Sequence, residues 1–163
     1  MADILVTWFS RSGSTERLAR ALAQRLGADA EPILASGSYA GATGFVRGVW
    51  QSLQRRMPPV RSGADPGPYR LVVVGAPVWA GRPAAPVRSY LRQHGPRIQG
   101  LAAFCVSGSG AAYDGVFDDM AELAGRRPIA TLSLAQRQVL ADEADAAIEG
   151  FAARLHEAGA AAA

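Results

Sequence analysis

"ILVTWFSRSGSTERLARALAQRLG", residues 4–27, changes character twice along its length. Its opening residues are apolar apart from Thr7, as a buried strand requires. From Ser14 onward Leu18, Leu22 and Leu26 recur at helical spacing, with Arg or Gln between them, and Gly27 closes the run. Between strand and helix stand Ser10, Arg11, Ser12, Gly13, Ser14 and Thr15. An apolar strand, a tight polar turn and an amphipathic helix form the opening unit of a parallel α/β sheet.

The remainder of the chain repeats that alternation. Strands are predicted over 3–9, 30–34, 69–77, 101–107 and 128–134, and "YRLVVVGAP" is apolar enough to be covered on both faces. Helices are predicted over 14–27, 86–94, 113–124 and 142–156. A further helix follows a Gly/Ser/Ala loop at 36–44 and turns Val46, Val49, Trp50, Leu53 and Met57 inward, ending at Pro58 and Pro59. The expected architecture is one domain over residues 1–157 with a frayed tail at 158–163.

Composition narrows the function classes. Half of the 163 residues are hydrophobic, enough for one real core. No apolar run reaches the length of a membrane span, and the start of the chain lacks the pattern of a secretory signal. The single cysteine, Cys105, forbids an internal disulfide and fits a reducing, cytoplasmic setting. The pI of about 9.6 raises the question of nucleic acid. Yet the net charge is only +3, every cationic side chain other than histidine is Arg, and the arginines are spread along helices without stacking aromatics. The absence of Lys and Asn is a bias of the kind a GC-rich bacterial genome imposes. Neither nucleic acid nor membrane is an expected partner.

Ligands of open parallel sheets bind beyond the carboxyl ends of the strands, so three loops matter. The first, "SRSGST" at 10–15, opens a helix whose first N–H groups lack intrahelical partners and carry the positive end of its dipole. One hydroxyl would cap it. Four hydroxyls around Gly13 describe a cradle for a phosphate held without lysine. A Walker A loop is excluded, since the chain has no Lys, and the glycine fingerprint of dinucleotide sites is missing. A receiver domain needs an aspartate where Gly75, Ala76 and Pro77 stand. The Arg that a cysteine phosphatase places after its nucleophile is replaced by Ala111.

The second loop, 77–81, holds Pro77, Val78, Trp79, Ala80 and Gly81, with Arg82 adding a positive charge just beyond. A Trp at a loop tip exposes a large apolar face unless a ligand covers it or it folds back on its own domain. Trp79 to Arg82 reads as a tight turn of type I or type II with Gly81 third. The third loop carries Ser107, Gly108, Ser109 and Gly110 and leads to Tyr113. A phosphate cradle and two aromatics define a slot for a flat, phosphate-bearing ring. Cys105 reads as core, His94 and His156 as helix-end residues, and no metal site is expected.

On these motifs nearly the whole chain resembles the flavodoxin family, in its short-chain form. "SRSGST" resembles the family's T/S-x-T-G-x-T loop, "PVWAG" its tryptophan loop and "SGSGAAYDGVF" its third loop. The resemblance implies a flavodoxin-like three-layer sandwich, with a five-stranded parallel sheet of order 2-1-3-4-5 and helices on both faces. It implies FMN as cofactor. Ser10, Arg11, Ser12, Gly13, Ser14 and Thr15 would hold the phosphate. Trp79 and Tyr113 would sandwich the isoalloxazine, and backbone groups of 77–81 and 107–110 would meet its edge.

Two departures stand beside it: flavodoxins are usually acidic and this chain is basic, and "VWAGRPAAPVRSYL" is closer to the broader flavodoxin-like oxidoreductases. The Thr-Arg-Phe of tetrameric quinone-reductase relatives is missing from the second loop. The resulting expectation is an FMN redox protein that serves a partner protein or a small electron donor or acceptor, as monomer or homodimer. An FMN-dependent NAD(P)H or quinone reductase is the alternative, and a flavin-free scaffold the further one. Two stacked aromatics would favour the carrier, because a reductase needs room for a second planar substrate.

Overall fold

The structure, a computed structural model, describes residues 2–36, 41–53, 59–62, 64–111 and 113–161. In chain order the strands are β1 (Ile4–Trp8), β2 (Asp29–Ala35), β3 (Val60–Ser62), β4 (Leu71–Trp79), β5 (Arg82–Pro83), β6 (Leu101–Ser107) and β7 (Thr131–Ala135). The helices are α1 (Ser14–Leu26), α2 (Gly41–Leu53), α3 (Ala85–His94), α4 (Asp114–Ala124), α5 (Gln136–Leu140) and α6 (Asp145–Ala161), with a 3-10 turn at Gly95–Arg97.

The sheet corrects the expected five strands to seven, in the order β3-β2-β1-β4-β6-β7 with β5 paired to β4. β2, β1, β4, β6 and β7 run parallel, whereas β3 and β5 are short antiparallel additions at Val60–Ser62 and Arg82–Pro83. Neither addition is long enough to show a period in sequence, and both begin or end at proline-rich turns that read as loops. α5 was likewise not expected; it is a single turn following directly on β7.

Strand alternation sorts the core into two layers. On one side Leu5, Val72, Val74, Leu101, Ala103 and Cys105 pack with Val87 and Tyr90 of α3 and Val116 and Met120 of α4. On the other, Val6, Trp8, Val73, Ala102 and Phe104 pack with Leu18 and Leu22 of α1 and Ile148, Phe151 and Leu155 of α6. Helices on both faces let β4 be apolar at nearly every position. Within it Gly75 lies opposite Phe104 of β6, and a Cβ at Gly75 would stand 2.0 Å from the Phe104 ring. That ring fills the space a side chain would take.

α2 begins at Gly41, inside the segment expected to be loop, while 37–40 lie outside the described residues. Its apolar stripe is corrected as well: Val46 is 65% exposed and Trp50 is 46% exposed. Met57, also expected to face inward, lies outside the described residues, as do the side chains of Val49 and Leu53. Helical periodicity reveals which side chains share a face, but not whether that face meets the core. α6 continues to Ala161 and takes in most of the segment read as a tail.

Candidate functional site

Parallel register brings three loops to one edge. Trp8 of β1 is level with Gly75, Pro77 of β4 with Val106, and Ser107 of β6 with Ala135. The segments that follow these strand ends are therefore neighbours at the carboxyl edge of the sheet.

The first loop is shaped by glycine and serine. The Gly13 N–H donates to Ser10 Oγ at 3.0 Å, and Gly13 takes φ 100°, a left-handed backbone that favours glycine. A Cβ there would meet nothing within 4 Å, so the backbone faces open space. Gly13 is the N-cap of α1, and no side chain caps the helix. Donor groups of its first turn and the positive dipole end are thus available to an anion. Arg11, Ser12 and Gly13 are exposed, while Ser14 and Thr15 are buried at the base of the loop. Glu16, in the same first turn, is engaged by Arg20 at 2.9 Å.

The second loop is a hairpin. Val78 pairs with Pro83 and Trp79 with Arg82, leaving Ala80 and Gly81 as the two-residue tip. Their φ values are 50° and 73°, the signs of a primed turn. The expected type I or II turn is corrected for a physical reason: only primed turns match the twist of strands joined by two residues. Trp79 is corrected too. It belongs to the end of β4, is only 5% exposed, and meets Phe9 edge to face. It shares the buried cluster with Val87 and Phe117, while Pro77 and Val78 are half-buried and Ala80 and Gly81 exposed. The Arg82 guanidinium lies 3.6 Å from Asp119 of α4, so its charge is offset locally.

The third loop is braced by its own hydroxyls. Gly110 N–H donates to Ser107 Oγ at 3.0 Å, Ala111 N–H reaches Ser109 Oγ, and Ser109 Oγ and Tyr113 OH are hydrogen-bonded at 2.9 Å. Gly110 takes φ 72°, with its would-be Cβ 2.7 Å from Ala135 Cβ. Gly108, by contrast, faces open space. Tyr113 is half-buried just ahead of α4. Ser133 Oγ donates to the Ala111 carbonyl, and the Cys105 thiol donates to Ser133 at 3.4 Å. Burial pushes that thiol's pKa up, which makes Cys105 a poor nucleophile.

Sequence reasoning placed the three loops together but missed Phe9 and Ser133. Phe9 passes as one more strand residue. Ser133 carried a signal, being a hydroxyl in an otherwise apolar strand end.

No known family model and no curated protein matches the sequence. Solved structures do. A flavoprotein in complex with FMN from Lactobacillus acidophilus shares 22% identity, covers 83% of this chain and 95% of its own, and has a TM-score of 0.70. The apo-form of the Lactobacillus flavoprotein gives 22% identity over 82% and 93%, with a TM-score of 0.62. A candidate flavoprotein from Bacteroides eggerthii gives 20% identity over 85% and 93%, with a TM-score of 0.69. At these identities the likeness is one of fold. The chain has the flavodoxin-like α/β fold.

Proposed function

We propose that the chain binds FMN at the carboxyl edge of its sheet and serves as a redox protein. The observation that carries this is the start of α1, where an uncapped helix N-terminus, open glycine backbone at Gly13 and a cluster of hydroxyls stand together. That donor set suits a phosphate monoester, so the residues fit the cofactor. Ser10, Arg11, Ser12, Gly13, Ser14 and Thr15 hold the phosphate, the exposed ones by side chain and the buried ones through their backbone. Tyr113 offers a ring to stack on, fixed by Ser109. Residues 77–81 and 107–110 supply backbone groups for the edge of the ring. When bound, FMN supplies the electron transfer, and the protein positions it and limits water access.

Electrons reach the site from a protein or small-molecule donor and leave to an acceptor. The burial of Trp79 weakens the case for a carrier with both ring faces covered, and favours a reductase-type site. A flavin-free scaffold would leave the open cradle of 10–15 without a purpose. Reconstitution tests the reading: the purified chain should take up FMN and turn yellow. A chain that remains colourless after incubation with FMN contradicts it.

A further inference from the structure

Trp79 and Tyr113 come from two loops that flank the proposed ring, yet the structure treats them differently. The Trp79 indole is packed against Phe9 at 5.6 Å with an interplanar angle of 87° and sits within the buried cluster. A ring that presents its edge and face to core neighbours has no face left to stack on a ligand. What the second loop offers to the site is its tip, where Ala80 and Gly81 are exposed. A Cβ at Gly81 would meet nothing within 4 Å, and the same holds for Gly13 and Gly108 from the other two loops. Three loops thus meet the site with bare backbone, and Tyr113 is the aromatic left half-exposed.

Resting on the FMN reading above, we propose that the bound ring is covered on one face only. The other face, beside Ala80 and Gly81, is a binding site for a second small planar ring of the nicotinamide or quinone kind. Such a ring gains stacking contact there without displacing a protein aromatic. This is a second ligand site and not a detail of FMN affinity, because it depends on the ring face and not on the phosphate.

The test is a titration of the FMN-loaded protein with 4-chlorophenolate above the phenol's own pKa. An electron-rich ring stacked on oxidised flavin produces a long-wavelength absorbance band, without any turnover. The proposal predicts that band. Displacement of the band by NADP+ and not by menadione assigns the nicotinamide ring, and the reverse assigns a quinone. Both compounds are inert toward oxidised flavin. In Ala80→Trp an indole covers the open face, and the phenolate should bind about tenfold or more weakly while FMN is retained. Ala80→Leu provides the same comparison with a smaller side chain should the Trp variant misfold. A loaded protein that gives no band has Trp79 on the ring in place of Phe9, and overturns the proposal. A chain that fails to take up FMN fails the cofactor reading instead, so the two failures are distinct.

Discussion

The rings of Phe9 and Trp79 meet edge to face with centroids 5.6 Å apart. Phe9 follows β1 at the root of the first loop, its N–H donating to the Gly75 carbonyl, and Trp79 ends β4 at the root of the second. The pair locks two of the three site loops to each other from beneath. Phe9→Ala should lower stability by roughly 3–5 kcal/mol, the usual range for emptying a buried aromatic site. Urea denaturation measures it, and a loss under about 1 kcal/mol would show that the ring is not packed as described.

Ala80 occupies φ 50°, where a non-glycine residue is penalised by about 1–2 kcal/mol. Glycine there regains most of that and loses about 0.4–1 kcal/mol through the freer unfolded chain. Ala80→Gly should therefore leave the protein equally stable or up to about 1 kcal/mol more so. A clear destabilisation in the same assay would rule out the primed turn.

Gly75 and Phe104 form a steric pair across β4 and β6. Any Cβ at Gly75 would overlap the Phe104 ring, the nearest carbon standing at 2.0 Å. Gly75→Ala should cost at least about 1–3 kcal/mol through overpacking. Phe104→Leu should relieve part of that cost, so the double variant should be less damaged than the sum of the singles. Strict additivity would contradict the contact.

The comparison of sequence with fold shows where local pattern is sufficient. β4 and α1 were legible because burial on both faces and a one-sided leucine stripe leave distinct periods in the chain. α2 was legible as a helix but misleading as a core element, since Val46 and Trp50 share a face that the fold leaves in solvent. The loops of the site were legible from chemistry: hydroxyls and glycines are crowded into 10–15 and 107–110 beyond what packing needs. The orientation of Trp79 was not. Whether an indole at a strand end turns outward or inward is decided by Phe9, by a two-residue hairpin and by the helices behind it, none of which is local in sequence.

His94 ends α3 with its ring 4.7 Å from that of Tyr90. Partial burial holds its pKa below the ordinary histidine value; Asp65 pulls it up and Arg97 down. The unfolded chain therefore takes up a proton first as pH falls, and stability rises with pH across this window. The contribution is complete above about pH 6.5, the unfolded value, and fades as pH drops through the folded one. His94→Gln should flatten the pH dependence of the urea midpoint between roughly pH 5 and 7. An unchanged profile would mean that His94 titrates as it does in the unfolded chain.

The central claim is that the loop at 10–15 is a phosphate cradle, and comparing FMN with riboflavin by fluorescence titration tests it most directly. The two ligands share the ring and differ in the phosphate. FMN should bind much more tightly, and Ser12→Ala, which removes an exposed hydroxyl from the loop, should weaken FMN by roughly 1.5–3 kcal/mol, about tenfold or more, while scarcely affecting riboflavin. Equal affinity for FMN and riboflavin would contradict the cradle and the account built on it.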